Sequence, residues 1–356
     1  DLVARIGGDE FAVLLPRQTD SKASLQLADI MIKSIAKPFT IDEHQIHVAA
    51  SCGVALAPAQ AQEALELVSD ADLALFKAKS MGRGQLALFV PALRMEAATR
   101  RLYGMQLHRA VSDGEFLLFY QPQINLITGA ITGAEALIRW HHPERGLLGP
   151  AEFLPALEGG TLAAAVGFWT LNEACAQAAY WRRQGAADFR IGVNLCSAQF
   201  RVGDLVQEVA ETLKRHGLPA EALELEVTEN IVLDNDEIVL ETLQRLYNLG
   251  VGIAFDDFGT GYGSLSLLKT YPLTRIKIDQ SFVREIETSK RDASVIRAIL
   301  DMARSFDLET IAEGIETETT KNYLQREMCD EGQGYLFGKP MPANQFEHLL
   351  GINTAT

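Results

Sequence analysis

The chain has 356 residues, 47% of them hydrophobic, and a formal net charge of −15. This length allows a large hydrophobic core and exceeds one average domain. The acidic balance disfavours non-specific binding to a DNA or RNA polymer, although a local cationic pocket could still bind a small phosphate ligand.

Compartment signals come from the cysteines and from hydropathy. The four cysteines lack CxxC or framework spacing, which favours free thiols in a reducing compartment. The sequence contains no run of 18 or more apolar residues. We therefore expect a cytoplasmic protein, and an upstream sensory domain or membrane tether is compatible with this expectation.

Residues 1–90 alternate strand and helix signals. The run LVARIGGDEFAVLLP predicts two strands around a Gly-Gly-Asp turn, because glycine tolerates the positive φ of tight hairpins. The next helix, with Ser21 or Ser24 as its expected N-cap, and the following strand and helix are predicted at 21–39, 44–58 and 63–84. A helical linker over 91–114 then follows.

From residue 115 the alternation of apolar runs and amphipathic stretches becomes regular. The βαβα order predicts a parallel sheet, and its length fits a TIM-like (β/α)₈ barrel over 115–352. Several apolar runs end in a carboxylate, an amide or a lysine. Because strand carboxyl ends meet on one face of such a barrel, these side chains should converge. They are Glu135, Asn194, Glu226, Asp256, Asp257, Lys277, Glu313 and Gln333.

So many carboxylates at one mouth predict a divalent metal site. Any one of these acids, taken alone, is more often a strand-end cap or part of a rim salt bridge. The whole set is different, because buried carboxylates without compensation cost several kcal/mol each. Oxygen donors of this kind suit Mg²⁺ or Mn²⁺ better than zinc.

The ordered motifs resemble an EAL-type cyclic di-GMP phosphodiesterase over residues 101–350. Eight motifs in the right order are far more specific than a lone EAL tripeptide. They are Gln121-Pro122, Glu135-Ala136-Leu137 with Arg139-Trp140, Val193-Asn194-Leu195, Glu226 to Glu229, Asp256-Asp257 to Tyr262, Lys277-Ile-Asp279, Ala312-Glu313 to Glu316, and Gln333-Gly-Tyr335.

Residues 1–90 resemble the C-terminal part of a GGDEF domain, the diguanylate cyclase family. The signature comprises Gly7, Gly8, Asp9, Glu10 and Phe11. The first half of that domain, which would carry the nucleotide-binding loop, does not precede the signature in this sequence. Cyclase activity is therefore not expected from residues 1–90.

The EAL resemblance implies a site with two Mg²⁺ or Mn²⁺ ions and a water that attacks the phosphodiester. It implies that Lys277 orients or deprotonates this water, although a structural lysine paired with a barrel acid is an alternative. The implied ligands are Glu135, Asn194, Glu226 and Asp256 for one ion and Asp256, Asp257 and Glu313 for the other. The implied supporting residues are Gln333, Glu229 and Glu316, and the implied substrate contacts are Gln121, Leu137, Arg139 and Pro150.

The resemblance implies hydrolysis of cyclic di-GMP to linear pGpG in bacterial second-messenger signalling, by a homodimer formed through the EAL domain. The alternative is a catalytically inactive EAL receptor that binds cyclic di-GMP and signals by protein contact. That alternative predicts a missing ligand or a broken FGTGY loop. The loop departs from the family pattern at Gly263, which replaces a serine and adds backbone freedom without removing a ligand.

Overall fold

A computed structural model describes residues 1–16, 20–41, 44–46, 48–61, 63–80, 84–158, 160–233, 237–259, 265–287 and 289–352. The chain divides into two compact units, Asp1–Leu102 and Tyr103–Thr356. Within the described ranges, none of the helices combines the length and the apolar character needed to cross a membrane.

The first unit contains short strands, two full helices and the beginning of a third, longer helix, whose residues from Tyr103 onward belong to the second unit. These elements are β1 (Leu2–Gly7), β2 (Glu10–Leu14), α1 (Ser21–Ile35), β3 (Phe39–Ile41), β4 (His44–Ile46), β5 (Cys52–Val54), α2 (Ala64–Ser80), β6 (Leu86–Leu88) and α3 (Ala92–Asp113). The antiparallel pairing of β1 with β2 around Gly8 matches the predicted hairpin. The predicted strand over 44–58 is instead two short strands, β4 and β5.

The N-cap of α1 corrects a sequence-based prediction. Asp20, not Ser21 or Ser24, caps the helix, because its carboxylate accepts hydrogen bonds from the backbone N–H groups of Lys22 and Ala23. The cap lies one residue before the first helical residue, which is where a side-chain acceptor reaches the free N–H groups of the first turn.

The second unit is built on eight strands that close into a barrel. Its elements are β7 (Phe116–Asn125), β8 (Ile131–His142), β9 (Gly146–Leu148), α4 (Pro150–Glu158), α5 (Ala163–Arg183), β10 (Arg190–Asn194), α6 (Leu205–His216), β11 (Leu223–Thr228), α7 (Glu229–Leu233), α8 (Glu237–Asn248), β12 (Gly252–Phe258), α9 (Leu265–Thr270), β13 (Arg275–Ile278), α10 (Gln280–Arg284), α11 (Lys290–Ser305), β14 (Glu309–Ala312), α12 (Glu318–Arg326), β15 (Glu331–Gln333), β16 (Met341–Pro342) and α13 (Ala343–Leu349).

The barrel departs from a regular (β/α)₈ barrel at its first strand. The strand order around the barrel is β7-β8-β10-β11-β12-β13-β14-β15, and β15 pairs back to β7. Strands β8 and β10 to β15 pair in parallel, but β7 is antiparallel to both of its neighbours. Only residues 126–130 connect β7 to β8. A parallel pair needs a crossover of about a dozen residues or more, so this short turn forces the antiparallel arrangement.

The barrel strands are apolar because both of their faces are covered. Ile191, Leu225, Ile253 and Ile276 lie on the successive strands β10, β11, β12 and β13 and are fully buried. Amphipathic helices cover the outside; α6, for example, begins at the N-cap Asp204 and ends at the left-handed Gly217. Near-continuous apolar strands are the pattern expected of a parallel sheet with helices on its outer face.

Charged side chains close the amino-terminal end of the barrel, opposite the mouth. Arg275, the first residue of β13, is only 1% exposed. Its guanidinium lies 3.2 Å from Glu224, 3.0 Å from Glu331 and 2.5 Å from Glu309. Burial alone would lower the pKa of Arg275, but these three carboxylates outweigh burial and raise it.

We predict that Arg275→Met destabilises the protein by about 3–5 kcal/mol, because it leaves Glu224 buried without its cation and removes one of the two guanidinium groups that pair with Glu331. Urea unfolding followed by circular dichroism measures this change. The matched control is Arg304→Gln, which breaks an exposed 2.8 Å pair with Asp301 and should cost at most about 1 kcal/mol. Equal losses in both variants would contradict a structural role for the Arg275 network.

Candidate active site

A single buried lysine lies at the centre of the barrel mouth. Lys277, on β13, is 1% exposed. Its Nζ lies 3.0 Å from Asp256 Oδ1 and 2.8 Å from Glu313 Oε1. Glu135 Oε2 lies 3.6 Å away, and Glu226 Oε2 accepts a hydrogen bond from the same ammonium. Four carboxylates that are distant in sequence therefore share one cation, as the convergence argument predicted.

Amide side chains orient Glu135. Asn194 Nδ2 donates to Glu135 Oε1 at 2.8 Å, and Gln333 Nε2 donates to Glu135 Oε2 at 2.6 Å. Gln333 also donates to Gln121 Oε1 at 3.1 Å and accepts from Gln123 Nε2 at 3.2 Å. Both oxygens of Glu135 are thereby fixed in the mouth.

Gln123 is a site residue that sequence reasoning missed. It lies two residues after Gln121 on β7, and alternate residues of a strand share one face. This spacing was the available signal.

A backbone irregularity in β12 brings two adjacent carboxylates to the same side. In a regular strand Asp256 and Asp257 would point to opposite faces. Here the pairing of β12 with β13 shifts register between Phe255 and Phe258, and Asp257 has a left-handed φ of 54°. Single oxygens of Asp256, Asp257 and Glu313 consequently lie within 4.8 Å of one another. Such strained backbone at a cluster of charges is typical of functional sites.

Burial and mutual repulsion shift the proton equilibria of the cluster. Burial, reinforced by the charge of Glu135, raises the pKa of Glu226 well above its usual value. Burial raises the pKa of Glu313 to about 8, although the charge of Lys277 opposes the shift. Burial and the charge of Asp256 raise the pKa of Asp257 to about 6. These acids lack sufficient positive charge around them.

Lys277 shows the opposite balance. Burial alone would lower its pKa, but the surrounding carboxylates, Asp256 most strongly, raise it well above its usual value. In this geometry Lys277 is a charged ammonium.

The donor set fits a divalent cation. Glu226 Oε1 is buried and accepts no hydrogen bond from the residues that the structure describes. Together with Asp256, Asp257 and Glu313 it offers hard oxygen ligands and a negative charge that Lys277 alone does not balance. Carboxylate and amide oxygens with these properties suit Mg²⁺-like ions, not thiolate- or imidazole-bound metals.

Beside the carboxylates the mouth forms a cavity of about 250 Å³. Its lining includes the expected Gln121, Glu135, Leu137, Asp256, Lys277, Glu313, Glu316 and Gln333, and also Gln280, Arg284, Gly314, Gly334, Tyr335 and Pro340. Gln280 and Arg284 were not predicted from the sequence, because the motif recognised in this region ends at Asp279 and both residues lie in the helix α10 that follows it. Their i, i+4 spacing was the only available signal.

Two expected substrate contacts lie outside this lining. Arg139 donates to the carbonyl oxygen of Ile138 at 2.8 Å, and its guanidinium lies 5.4 Å from the centre of the Phe119 ring. Burial lowers the pKa of Arg139. Pro150 is the first residue of α4.

The remaining expected residues occupy different places. Glu229 begins α7 and is buried. Gly263 lies outside the described residues. The Gly7–Phe11 signature occupies the β1–β2 hairpin of the first unit, where Arg5 donates to the Gly8 carbonyl oxygen at 2.8 Å and 2.6 Å.

Family profiles match most of the chain. A profile for the EAL domain matches residues 105–340, and a profile described as diguanylate cyclase, GGDEF domain, matches residues 1–85. MucR of Pseudomonas aeruginosa, named a bifunctional diguanylate cyclase/cyclic di-GMP phosphodiesterase, is 39% identical over 97% of this chain and 50% of MucR. NbdA of the same species, named a cyclic di-GMP phosphodiesterase, is 37% identical over 98% of this chain and 45% of NbdA. The chain spans about half the length of such relatives.

Solved structures share the barrel. The PaMucR phosphodiesterase in complex with c-di-GMP has a TM-score of 0.66 and 41% identity, over 69% of this chain and 99% of that one. The EAL enzyme Bd1971, in a form with cAMP and cyclic di-GMP bound, has a TM-score of 0.69 and 32% identity, over 82% of this chain and 77% of that one.

A glycine makes room for Glu226. A Cβ atom at Gly192 of β10 would lie 2.3 Å from Glu226 Oε1, so Gly192→Ala must displace this carboxylate while the backbone stays in place. We predict that the variant folds but binds Mn²⁺ about tenfold more weakly in calorimetry, as when residues that support metal ligands are changed.

The matched control is Gly252→Ala, on β12. The added Cβ would lie 3.5 Å from the nearest atom, an ordinary contact, so Mn²⁺ affinity should stay unchanged. Unaltered Mn²⁺ binding by Gly192→Ala would show that Glu226 does not depend on this space.

Proposed function

Because the chain belongs to the EAL domain family, we propose that it hydrolyses one phosphodiester bond of cyclic di-GMP and releases linear pGpG, in bacterial second-messenger signalling. The observation that supports the proposal is the clustering of the expected metal-ligand side chains. Glu135, Glu226, Asp256 and Glu313 surround Lys277, Asn194 donates to Glu135, and Asp257 lies beside Asp256 and Glu313. A receptor that had lost catalysis would not need this complete set.

Two divalent cations, Mg²⁺ or Mn²⁺, would supply charge neutralisation and an activated water when bound. We propose that Glu135, Asn194, Glu226 and Asp256 hold one cation, and that Asp256, Asp257 and Glu313 hold the other. The left-handed backbone at Asp257 supports this assignment of ligands to the two cations, since it allows the adjacent carboxylates of Asp256 and Asp257 to lie on the same side of β12. Gln333 keeps Glu135 oriented through its 2.6 Å hydrogen bond.

Without bound cations, Lys277 is a charged donor and not a group that takes a proton. Its raised pKa keeps the ammonium protonated at neutral pH. From the centre of the carboxylates it can orient the attacking water and stabilise negative charge that develops on the phosphate. Bound cations would lower this pKa by repulsion, so a base role depends on them.

The other expectations remain part of the proposal. Gln121 and Leu137 line the cavity and would contact the nucleotide, whereas contact by Arg139 and Pro150 rests on the family resemblance alone. Anchoring of the 257–265 loop by Glu229, support of Glu313 by Glu316, a cytoplasmic location and a homodimer through the EAL domain rest on the same basis. The proposed domains are 1–90, 91–114 and 115–352, with no cyclase activity expected from the first.

We predict that the protein converts cyclic di-GMP to pGpG in Mg²⁺ or Mn²⁺, and that Glu135→Gln lowers kcat at least about 100-fold. The substitution removes the charge that would bind a cation but keeps the shape of the side chain. Chromatography of the nucleotides measures both rates. The matched control is Glu144→Gln, an exposed acid in the β8–β9 turn, which should keep full activity.

The same measurement separates enzyme from receptor. If the unaltered protein binds cyclic di-GMP in calorimetry but forms no pGpG with either metal, the hydrolase proposal is wrong and the receptor function is supported. Activity that persists in EDTA would instead contradict metal dependence.

The lysine at the centre allows a test that does not depend on turnover. We predict that Lys277→Met lowers the melting temperature in EDTA, because four carboxylates lose their shared cation, a change that costs about 3–5 kcal/mol for buried pairs. Mn²⁺ should then raise the melting temperature more in Lys277→Met than in the unaltered protein.

Scanning calorimetry with and without Mn²⁺ gives both values, and Lys290→Met, which changes an exposed lysine, is the control. Equal Mn²⁺ effects in the two proteins would contradict the assignment of the carboxylates as the metal site.

A further inference from the structure

The cavity at the mouth has few positive groups for an anionic substrate. Among its described lining residues the cations are Lys277 and Arg284. Lys277 is buried, and four carboxylates lie within 3.6 Å of its Nζ. Its charge is therefore already compensated. Arg284 is the described lining cation that remains to attract a phosphate away from the carboxylates.

Helix α10 presents Arg284 to the cavity. Arg284 and Gln280 are four residues apart on α10, so they share one face, and both line the cavity. The start of α10 packs closely on the segment after β14. At Gly314, which has a φ of +69°, a Cβ atom would lie 2.6 Å from Gln280 Cβ. This close approach holds the start of α10 against the segment that contains Glu313, Gly314 and Glu316.

The present partner of Arg284 is weakly held. Its guanidinium lies 3.6 Å from Glu316 Oε1, and the two side chains are 57% and 49% exposed. Exposed ion pairs of this kind contribute little to stability, since water screens them and both side chains lose rotamer freedom. A phosphate can therefore replace Glu316 at little cost, and a guanidinium binds a phosphate with two parallel hydrogen bonds.

We propose that Arg284 binds the second phosphodiester of the cyclic dinucleotide, the one that is not cleaved, and that Glu316 holds Arg284 at the rim until substrate replaces it. This inference rests on the proposed hydrolysis of cyclic di-GMP. While one phosphate lies at the carboxylate cluster, the other extends along a cavity lined by Glu313 and Glu316. Without a cation on that side, these acids would repel it.

The test compares a substrate that has two phosphodiesters with one that has a single phosphodiester. For cyclic di-GMP, Arg284→Gln should raise KM about tenfold and leave kcat unchanged, as expected for loss of one charge-assisted phosphate contact. For bis(4-nitrophenyl) phosphate, which has no second phosphate, kcat/KM should not change. Arg284→Lys should raise KM less than Arg284→Gln does, since lysine keeps the positive charge but cannot form the two parallel hydrogen bonds of a guanidinium.

Glu316→Gln gives an opposite expectation. Removing the acid that holds Arg284 and repels phosphate should lower KM for cyclic di-GMP. If Glu316 instead supports Glu313, the same variant lowers kcat for both substrates, which would overturn its role at the rim. The matched control is Arg297→Gln, which breaks a partly exposed 3.7 Å pair with Glu327 and lies outside the cavity lining.

Two results would overturn the role of Arg284: an unchanged KM for cyclic di-GMP, or an equal loss of kcat/KM with both substrates. Calorimetric binding of cyclic di-GMP in EDTA tests the contact without turnover. If the unaltered protein hydrolyses neither substrate, the proposed function fails. In that case the contact of Arg284 with the phosphate is supported only if Arg284→Gln binds cyclic di-GMP more weakly than the unaltered protein does. Equal affinities of the two proteins would contradict the contact.

Discussion

The mouth of the barrel depends on a shortage of positive charge. Glu135, Glu226, Asp256 and Glu313 lie around the single ammonium of Lys277. Burial makes each unpaired carboxylate costly, which is why the pKa values of Glu226 and Glu313 rise. The same imbalance that disfavours ionised acids in the metal-free protein makes the site suited to divalent cations.

The two ends of the barrel use buried charge differently. At the amino-terminal end Arg275 meets three glutamates and Arg190 adds a second guanidinium to two of them, so the charges nearly balance. Such a network closes the barrel. At the carboxyl end acids outnumber cations, and a cavity adjoins them. Stability and binding capacity are thus placed at opposite ends of the same strands, as is usual for barrels of this kind.

Backbone geometry decides which acids can cooperate. The antiparallel β7 places Gln121 directly opposite Glu135 and so connects it to Gln333. The bulge in β12 turns Asp257 towards Asp256 and Glu313. Room for Glu226 depends on the missing side chain of Gly192. Each of these three features is a departure from a regular barrel strand, and each determines where one carboxylate lies.

The sequence by itself determined the strand and helix alternation, the closed barrel and the convergence of the motif residues. Apolar periodicity and the polar residues at the ends of the apolar runs are local signals that a sequence shows directly. It did not determine the reversed direction of β7, although the turn at 126–130 was short enough to indicate it. Tertiary structure alone decided the left-handed Asp257, the pairing of Arg284 with Glu316 and the position of Arg139 outside the cavity lining. These depend on contacts between strands and loops that are distant in sequence, and no local pattern encodes such contacts.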